Sequence, residues 1–321
     1  MPRLPPSQTQ AVLGPKRFGT HFPSYLGMRR LRFIPEGGAL VEVTCRTIQN
    51  RFLLLPRKQT NEIIAGVLGR AQKRYKVRCC FYVFLSTHYH LLLDVDDAGQ
   101  LARFMGYLNS NLAKEVARLV GWRDKIWSRR YQAILVSGED GAQIARLKYL
   151  LAHGAKEDLV ERPQDWPGVH AARALVDDVD LQGYWFDRTQ EYAARQRGED
   201  FDRLQYATIE TVHLSPLPCW KHLPDKTWKK LALNLLREVE EETVVRRART
   251  GTKPLGVAAI LAQHPFDRPE RPKRSPAPLF HVISTTVRQT LWEAYAGFVA
   301  AFRTASEETE SGRPRRRLPP R

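Results

Sequence analysis

The order of strand-like and helix-like segments between residues 39 and 156 constrains the fold of this chain more than any other feature. Ser86-Thr87 joins the second and third strand-like segments, which predicts a hairpin. The resulting order, β-α-β-β-α-β-α, is typical of a small α+β domain. The predicted strands are residues 41–46, 79–85, 88–95 and 131–136, and the predicted helices are residues 60–75, 100–120 and 142–156.

Polar residues and glycines mark the predicted ends of these helices. Thr60, Asn61 and Glu62 offer capping chemistry at the start of the first helix, because side-chain oxygens accept hydrogen bonds from the free backbone N–H groups there. Asp97 precedes the second helix, and Gly121 ends it.

The 321 residues are expected to form two packed units rather than one. Residues 1–38 are rich in Pro, Gly and Arg and predict a flexible basic arm. Residues 39–180 hold the α+β domain. Residues 181–321 predict a mostly helical, loop-rich extension with helices at about 228–249 and 286–305, a basic proline-rich connector at 268–278, and a basic tail.

The excess of basic residues limits the classes of partner. The chain carries 51 Lys and Arg against 34 Asp and Glu, a formal net charge of +17, which favours an anionic partner, nucleic acid before a membrane surface. It has neither a run of about 18 uncharged apolar residues nor an apolar signal region, so we expect no membrane segment and a cytoplasmic location. Its four cysteines lack zinc-type spacing and are expected to be reduced thiols.

A His-Tyr-His motif opens the third predicted strand. Alternate side chains of a strand share a face, so His88 and His90 point one way and Tyr89 points the other. Two neutral imidazoles side by side form two-thirds of a facial metal site, in which a bound ion acts as a Lewis acid on a phosphoryl oxygen. Histidines also occupy strand surfaces without any such task.

A second motif lies on the last predicted helix, where Tyr149, His153 and Lys156 follow one stripe at i, i+4 and i+7. A phenol has a pKa near about 10, so a nucleophilic tyrosine needs cations or a metal nearby. Lys148 and Lys156 could supply that field. Tyr149 taken alone would be interpreted as a packing aromatic. With His153 and Lys156 on the same stripe, the helix is as compatible with a functional role as with a structural one.

Four motifs in this order and spacing resemble the single-tyrosine HUH transposases, and more narrowly their REP-associated branch. The resemblance covers about residues 39–176. The extension after residue 181 resembles, more weakly, one that some bacterial members carry. The matching segments are His88 to Leu93, Trp127 to Tyr131, Tyr149 to Val160, and Glu161 to Pro167.

The resemblance implies a ferredoxin-like catalytic domain, an antiparallel sheet with helices on one face, that binds Mg²⁺ or Mn²⁺. His88 and His90 match the metal ligands and Tyr149 matches the nucleophile. His153 stands at the position of a polar residue near the metal and is the candidate third ligand. Lys156 matches a position that is often basic and close to substrate phosphate.

This sequence departs from the commonest pattern of the family in three places. Thr87 replaces the usual Asn before the first histidine, and Tyr89 is bulky for the middle position. His153-Gly154 stands where an Asn-Pro pair is frequent. The last departure bears on the identity of the third metal ligand.

The implied reaction cleaves single-stranded DNA beside a hairpin through a 5′-phosphotyrosine and rejoins it to another 3′-OH. The implied location is with the nucleoid of a bacterial cytoplasm, as a monomer or as a homodimer with swapped tyrosine helices. Candidate DNA contacts are Lys148, Lys156, Arg129 and Arg130, with the connector and the tail, and Tyr184, Trp185 and Trp220 as stacking platforms.

Two other functions are compatible with these residues. A domesticated hairpin-binding protein would keep the fold and bind without cutting, although it would not need His88, His90 and Tyr149 together. A histidine phosphohydrolase would attack phosphate with a strand histidine and would need neither metal nor tyrosine.

Overall fold

A computed structural model describes residues 31–270 and 278–310, and from Arg32 onward these residues form one compact unit. Its centre is a sheet of five strands: β1 (Ala39–Arg46), β2 (Arg78–Leu85), β3 (His88–Val95), β4 (Gln132–Val136) and β7 (Phe280–His281). They lie in the order β2-β3-β1-β4-β7. All neighbouring strands of this sheet are antiparallel except β4 and β7, which are parallel.

The first four strands alternate with helices α1 (Lys58–Tyr75) and α2 (Ala98–Val120) as the sequence predicts. The order β1-α1-β2-β3-α2-β4 with β3 between β1 and β2 is the ferredoxin-like arrangement. The predicted α+β class is therefore confirmed. A third helix, α3 (Asp140–Leu151), follows β4.

The register between β1 and β3 divides their side chains between the two faces of the sheet. Thr44 pairs with His90 and Arg46 pairs with His88, so these four side chains share one face. Tyr89 lies on the other face, where its hydroxyl donates to Asn109 of α2 at 2.6 Å. Helices α1 and α2 thus cover the Tyr89 face, while α3 lies on the histidine face.

The helix ends agree with the sequence in two places and differ in two. The Asp97 side chain accepts from the backbone N–H of Gln100 at 2.7 Å, and Gly121 ends α2 in the left-handed region. The predicted cap at Thr60 to Glu62 was wrong, because α1 already begins at Lys58 and includes these residues.

The predicted helix 142–156 ends five residues early, at Leu151. A series of turns follows, in which Gly154 has a φ of +85°, a backbone conformation that glycine adopts without strain. His153 therefore lies in a turn beyond the helix. Its ring nevertheless lies near that of Tyr149, as predicted, with ring centroids 5.4 Å apart.

The described part of the C-terminal region packs closely on the domain before it. In one close approach, a Cβ at Gly66 of α1 would stand 2.1 Å from the backbone of Tyr184 in β5, so glycine is required there. The boundary at residue 180 stays a prediction. The remaining elements are α4 (Ala171–Asp177), β5 (Leu181–Phe186), α5 (Arg188–Gln196), β6 (Ala207–Val212), α6 (Asp225–Thr250), α7 (Val257–Leu261) and α8 (Thr285–Glu310).

Several predicted features lie outside the described residues. They are most of the basic N-terminal arm, the central part of the connector and the basic tail. Among the helices that the structure does describe, none combines the length and the apolar character needed to cross a membrane.

Candidate metal centre and nucleophile

Three histidines converge on the histidine face of the sheet, between the sheet and the end of α3. His88 and His90 project from β3, and His153 comes from the turn after α3. One ring nitrogen from each lies within 4.8 Å of the others. The ring centroids of His90 and His153 are 4.4 Å apart, and those of His88 and His90 are 5.1 Å apart. This spacing can hold one metal ion.

Hydrogen bonds to the Nδ1 atoms orient all three rings. His88 Nδ1 lies 2.8 Å from the Thr87 hydroxyl, and His90 Nδ1 lies 2.8 Å from Oε1 of Glu42. His153 Nδ1 lies 3.0 Å from the carbonyl oxygen of Leu150. The Nε2 atoms therefore remain available as metal ligands, because a ligating histidine typically uses its other ring nitrogen for an orienting hydrogen bond.

The three histidines are held in the neutral form that binds metal. Burial lowers the pKa of His88 and of His153 well below the usual value, and mutual repulsion between protonated rings lowers both further. Burial also lowers the pKa of His90, although the Glu42 carboxylate acts in the opposite direction. Neutral imidazoles are the form that a divalent ion requires.

Glu42 is a buried carboxylate that sequence analysis missed. Its side chain is 1% exposed in β1 and contacts His90, His281 and Arg146. Burial opposes its ionisation, but hydrogen bonds from His281 and His90 and the charge of Arg146 hold its pKa far below the usual range. Strand alternation did predict that residue 42 shares a face with residues 44 and 46, and this was the available signal.

Tyr149 borders this cluster within the same chain. It is 47% exposed, and its ring meets His153 edge-on. Two cations flank the ring, with Arg146 Cζ 4.1 Å and Lys156 Nζ 3.3 Å from its centroid. An accessible phenol thus lies beside a histidine cluster with the spacing of a metal site, and two cations flank it.

Burial shifts the pKa values of Tyr149 and Lys156, which lie beside the histidine cluster. It raises the pKa of the Tyr149 phenol, and Arg146 offsets part of that rise. Burial lowers the pKa of Lys156 to about 8, and repulsion from Arg146 adds to this. The phenol is therefore protonated at neutral pH until further positive charge or a proton acceptor arrives.

A second cationic pair consists of Arg46 and Arg129. The sequence predicted only Arg129 as a DNA contact. Arg46 lies beside His88 on the histidine face, half-buried, and burial together with the nearby Arg129 lowers its pKa. Among the described residues, neither guanidinium forms an ion pair with a carboxylate. Two close guanidinium groups without a counter-ion favour an anion such as phosphate.

The other predicted DNA contacts lie in different surroundings. Lys148 forms ion pairs with Glu238 and Glu242 of α6, at 2.6 and 2.8 Å, and so does not supply the field at Tyr149. Arg130 lies near the ring of Tyr131. Among the suggested stacking residues Trp220 is buried, Arg70 covers the ring of Trp185, and Tyr184 packs beside Phe186.

Helix α6 fixes the turn that carries His153 and Lys156. Arg247 donates to the carboxylate of Asp158 at 2.8 Å and to the backbone oxygens of residues 155, 160 and 161 at 2.8–2.9 Å. Arg246 adds two bonds to Asp158, at 2.6 and 3.0 Å. The turn is thus held from outside rather than by its own sequence.

Replacing Arg247 by alanine is therefore expected to lower the free energy of unfolding by about 2 kcal/mol, because the Asp158 carboxylate and three backbone oxygens lose their donor. Urea unfolding measures this. The control is Arg237→Ala on the same helix, since within the described part of the chain Arg237 hydrogen-bonds only to Asn234 of its own helix, at 3.0 Å. Equal stability of the two variants would contradict the role given to Arg247.

Two solved structures are similar to part of this chain. One is a REP-associated tyrosine transposase bound to a REP hairpin, with a TM-score of 0.37 and 16% identity over 47% of this chain and 86% of that one. The other, from Deinococcus radiodurans R1, has a TM-score of 0.27 and 15% identity over 37% of this chain and 94% of that one. Both are assigned as transposases.

The names of both neighbours include the word transposase, as does the name of the family that the sequence motifs resemble, and nothing further follows from them. At such scores the similarity describes a partial overlap of backbones and carries no information on chemistry. No protein-family model and no curated protein matches the chain.

Proposed function

We propose that this protein is a transposase-type DNA strand transferase that uses Tyr149 as its nucleophile beside a metal ion held by His88, His90 and His153. One observation carries this proposal: a half-exposed tyrosine ring lies edge-on against a cluster of three inward-facing histidines. The net charge of +17 favours a nucleic acid substrate, and the sequence motifs point to DNA.

The residues around Tyr149 have separate tasks in this proposal. Arg46 and Arg129 lie on the histidine side and bind phosphate oxygens of the strand. Lys156 and Arg146 flank the phenol and favour its ionised form during attack. A divalent ion on the three Nε2 atoms would polarise a phosphoryl oxygen and orient the scissile phosphate.

The reaction is a pair of transesterifications. The Tyr149 oxygen forms a bond to phosphorus as the bond from phosphorus to the 3′-oxygen breaks. The phenolic proton leaves through a basic group or water, and the released 3′-oxygen takes one up. A 3′-OH then attacks the phosphotyrosine, which restores the tyrosine and joins the strands without an external energy source.

Incubation with a hairpin-flanked single-stranded oligonucleotide and Mn²⁺ tests this function. We expect a protein–DNA adduct that survives denaturing electrophoresis, with release of a fragment ending in 3′-OH. Binding of the hairpin without cleavage at any tested flank would favour the non-cutting protein instead. Cleavage in excess chelator would favour a histidine phosphohydrolase.

The donor set favours Mn²⁺ over Mg²⁺. Three imidazole nitrogens suit transition metals, whereas Mg²⁺ prefers oxygen ligands. We expect half-maximal adduct formation at a concentration of Mn²⁺ at least about tenfold below that of Mg²⁺. Titration of each ion into protein that a chelator has freed of metal measures these two half-saturating concentrations. Equal half-saturating concentrations would contradict a site made of three histidines.

A further inference from the structure

The metal centre has a contact with the far C-terminal part of the chain. Strand β7 lies parallel to β4, with Val136 paired to His281. The carbonyl oxygen of His281 accepts from Ser137 N at 2.9 Å. Just after the strand, the Glu139 carboxylate accepts from the backbone N–H groups of Ile283 and Ser284, at 3.1 and 2.9 Å. These contacts fix the C-terminal end of this short strand and the residues that follow it.

This anchoring brings the His281 ring onto Glu42. The His281 Nε2 atom lies 2.8 Å from Glu42 Oε2, while Glu42 Oε1 lies 2.8 Å from His90 Nδ1. The two histidines thus occupy opposite oxygens of one buried carboxylate. Arg146 Nε stands 2.5 Å from Oε2, but its N–H is not aligned for a hydrogen bond. His281 is then the aligned donor to Oε2 among the described residues.

We propose that His281 is a positioning residue of the metal centre: it fixes the Glu42 carboxylate, and Glu42 in turn fixes the ring of His90. This inference rests on the proposed function, because it presumes that His90 binds metal. The proposed role makes β7, which follows the connector at residues 268–278, part of the catalytic unit. Mutation of a residue that hydrogen-bonds to a ligating histidine commonly lowers the metal affinity by about 10- to 100-fold.

Two substitutions separate the hydrogen bond from the volume of the ring. His281→Phe keeps a ring of similar size and removes the N–H donor. His281→Gln keeps an N–H donor at about the distance of Nε2. The control is His213→Phe, since His213 pairs with Asp180 at 2.6 Å on the exposed surface and touches no residue of the site.

Electron paramagnetic resonance of free Mn²⁺ measures the dissociation constant of each full-length variant without DNA. We expect a rise of about tenfold for His281→Phe, a rise of less than about threefold for His281→Gln, and no change for His213→Phe. Thermal unfolding checks that each variant is folded.

The inference is overturned if His281→Phe binds Mn²⁺ within twofold of the unmodified protein. It is also overturned if His281→Gln binds as weakly as His281→Phe, since packing rather than the hydrogen bond would then act. Absence of Mn²⁺ binding by the unmodified protein has a different meaning, because it would remove the proposed metal site itself.

Discussion

Replacing Tyr149 by phenylalanine is expected to reduce covalent adduct formation by about four orders of magnitude or more, because the atom that attacks phosphorus is gone. The ring and its contacts with His153, Arg146 and Lys156 remain. DNA binding and Mn²⁺ affinity should therefore stay within about twofold of the original values. Denaturing electrophoresis of single-turnover reactions measures the adduct, and fluorescence anisotropy measures binding.

The matched control is Tyr192→Phe, because Tyr192 is another exposed tyrosine, 64% accessible, and lies on α5. It should form the adduct at the original rate. Adduct at an undiminished rate in Tyr149→Phe would show that another group is the nucleophile.

The second large effect is expected from Glu42→Gln. The amide keeps the size of the side chain, but it has one acceptor oxygen where the carboxylate has two. One of the donors His90 and His281 then loses its partner, and the partly buried charge on Arg146 loses its counter-charge. We expect a loss of about 3 kcal/mol in the free energy of unfolding and a rise of about 10- to 100-fold in the Mn²⁺ dissociation constant.

Glu115→Gln separates stability from metal binding. Glu115 is also buried, at 2% exposure, and pairs with Arg188 at 3.1 Å and with Arg203. It lies on α2, across the sheet from the histidines. This control should lose similar stability and keep its Mn²⁺ affinity. Equal losses of affinity in the two variants would mean that general destabilisation, not the orientation of His90, weakens the site.

The pH dependence of the free energy of unfolding tests the role of the Glu42 carboxylate in the absence of metal. The folded-state pKa of Glu42 is held below the unfolded value, so its stabilising effect is complete above that value, near 4.5, and is lost as the pH falls below it. The stability difference between the unmodified protein and Glu42→Gln should thus shrink between pH 6 and pH 3. A constant difference would contradict the lowered pKa.

Local patterns were sufficient to predict the core of the fold. Runs of β-branched and aromatic residues on either side of Ser86-Thr87 predicted β2 and β3 as a hairpin, and the two-residue period of a strand placed His88 and His90 on one face. The cap at Asp97 and the stop at Gly121 both recur in the structure. These features depend on residues a few positions apart, which is why one sequence reveals them.

The partners of the site could not be predicted, because they depend on contacts between distant segments. Glu42 and His281 are 239 residues apart, and no periodicity links them. The early end of α3 depends on Arg246 and Arg247 of another helix. Lys148 was expected near the nucleophile, yet consecutive residues of a helix point about 100° apart. Lys148 therefore reaches α6 while Tyr149 lies beside His153.

Peptide mapping of the trapped adduct by mass spectrometry identifies the side chain that attacks the DNA. After nuclease and trypsin treatment of a reaction with Mn²⁺, we expect a nucleotide on the peptide of residues 149–156, joined through its 5′-phosphate to the oxygen of Tyr149 rather than to His153. A nucleotide attached to His88, His90 or any other residue, or DNA cleaved with no protein-linked phosphate at all, would contradict it.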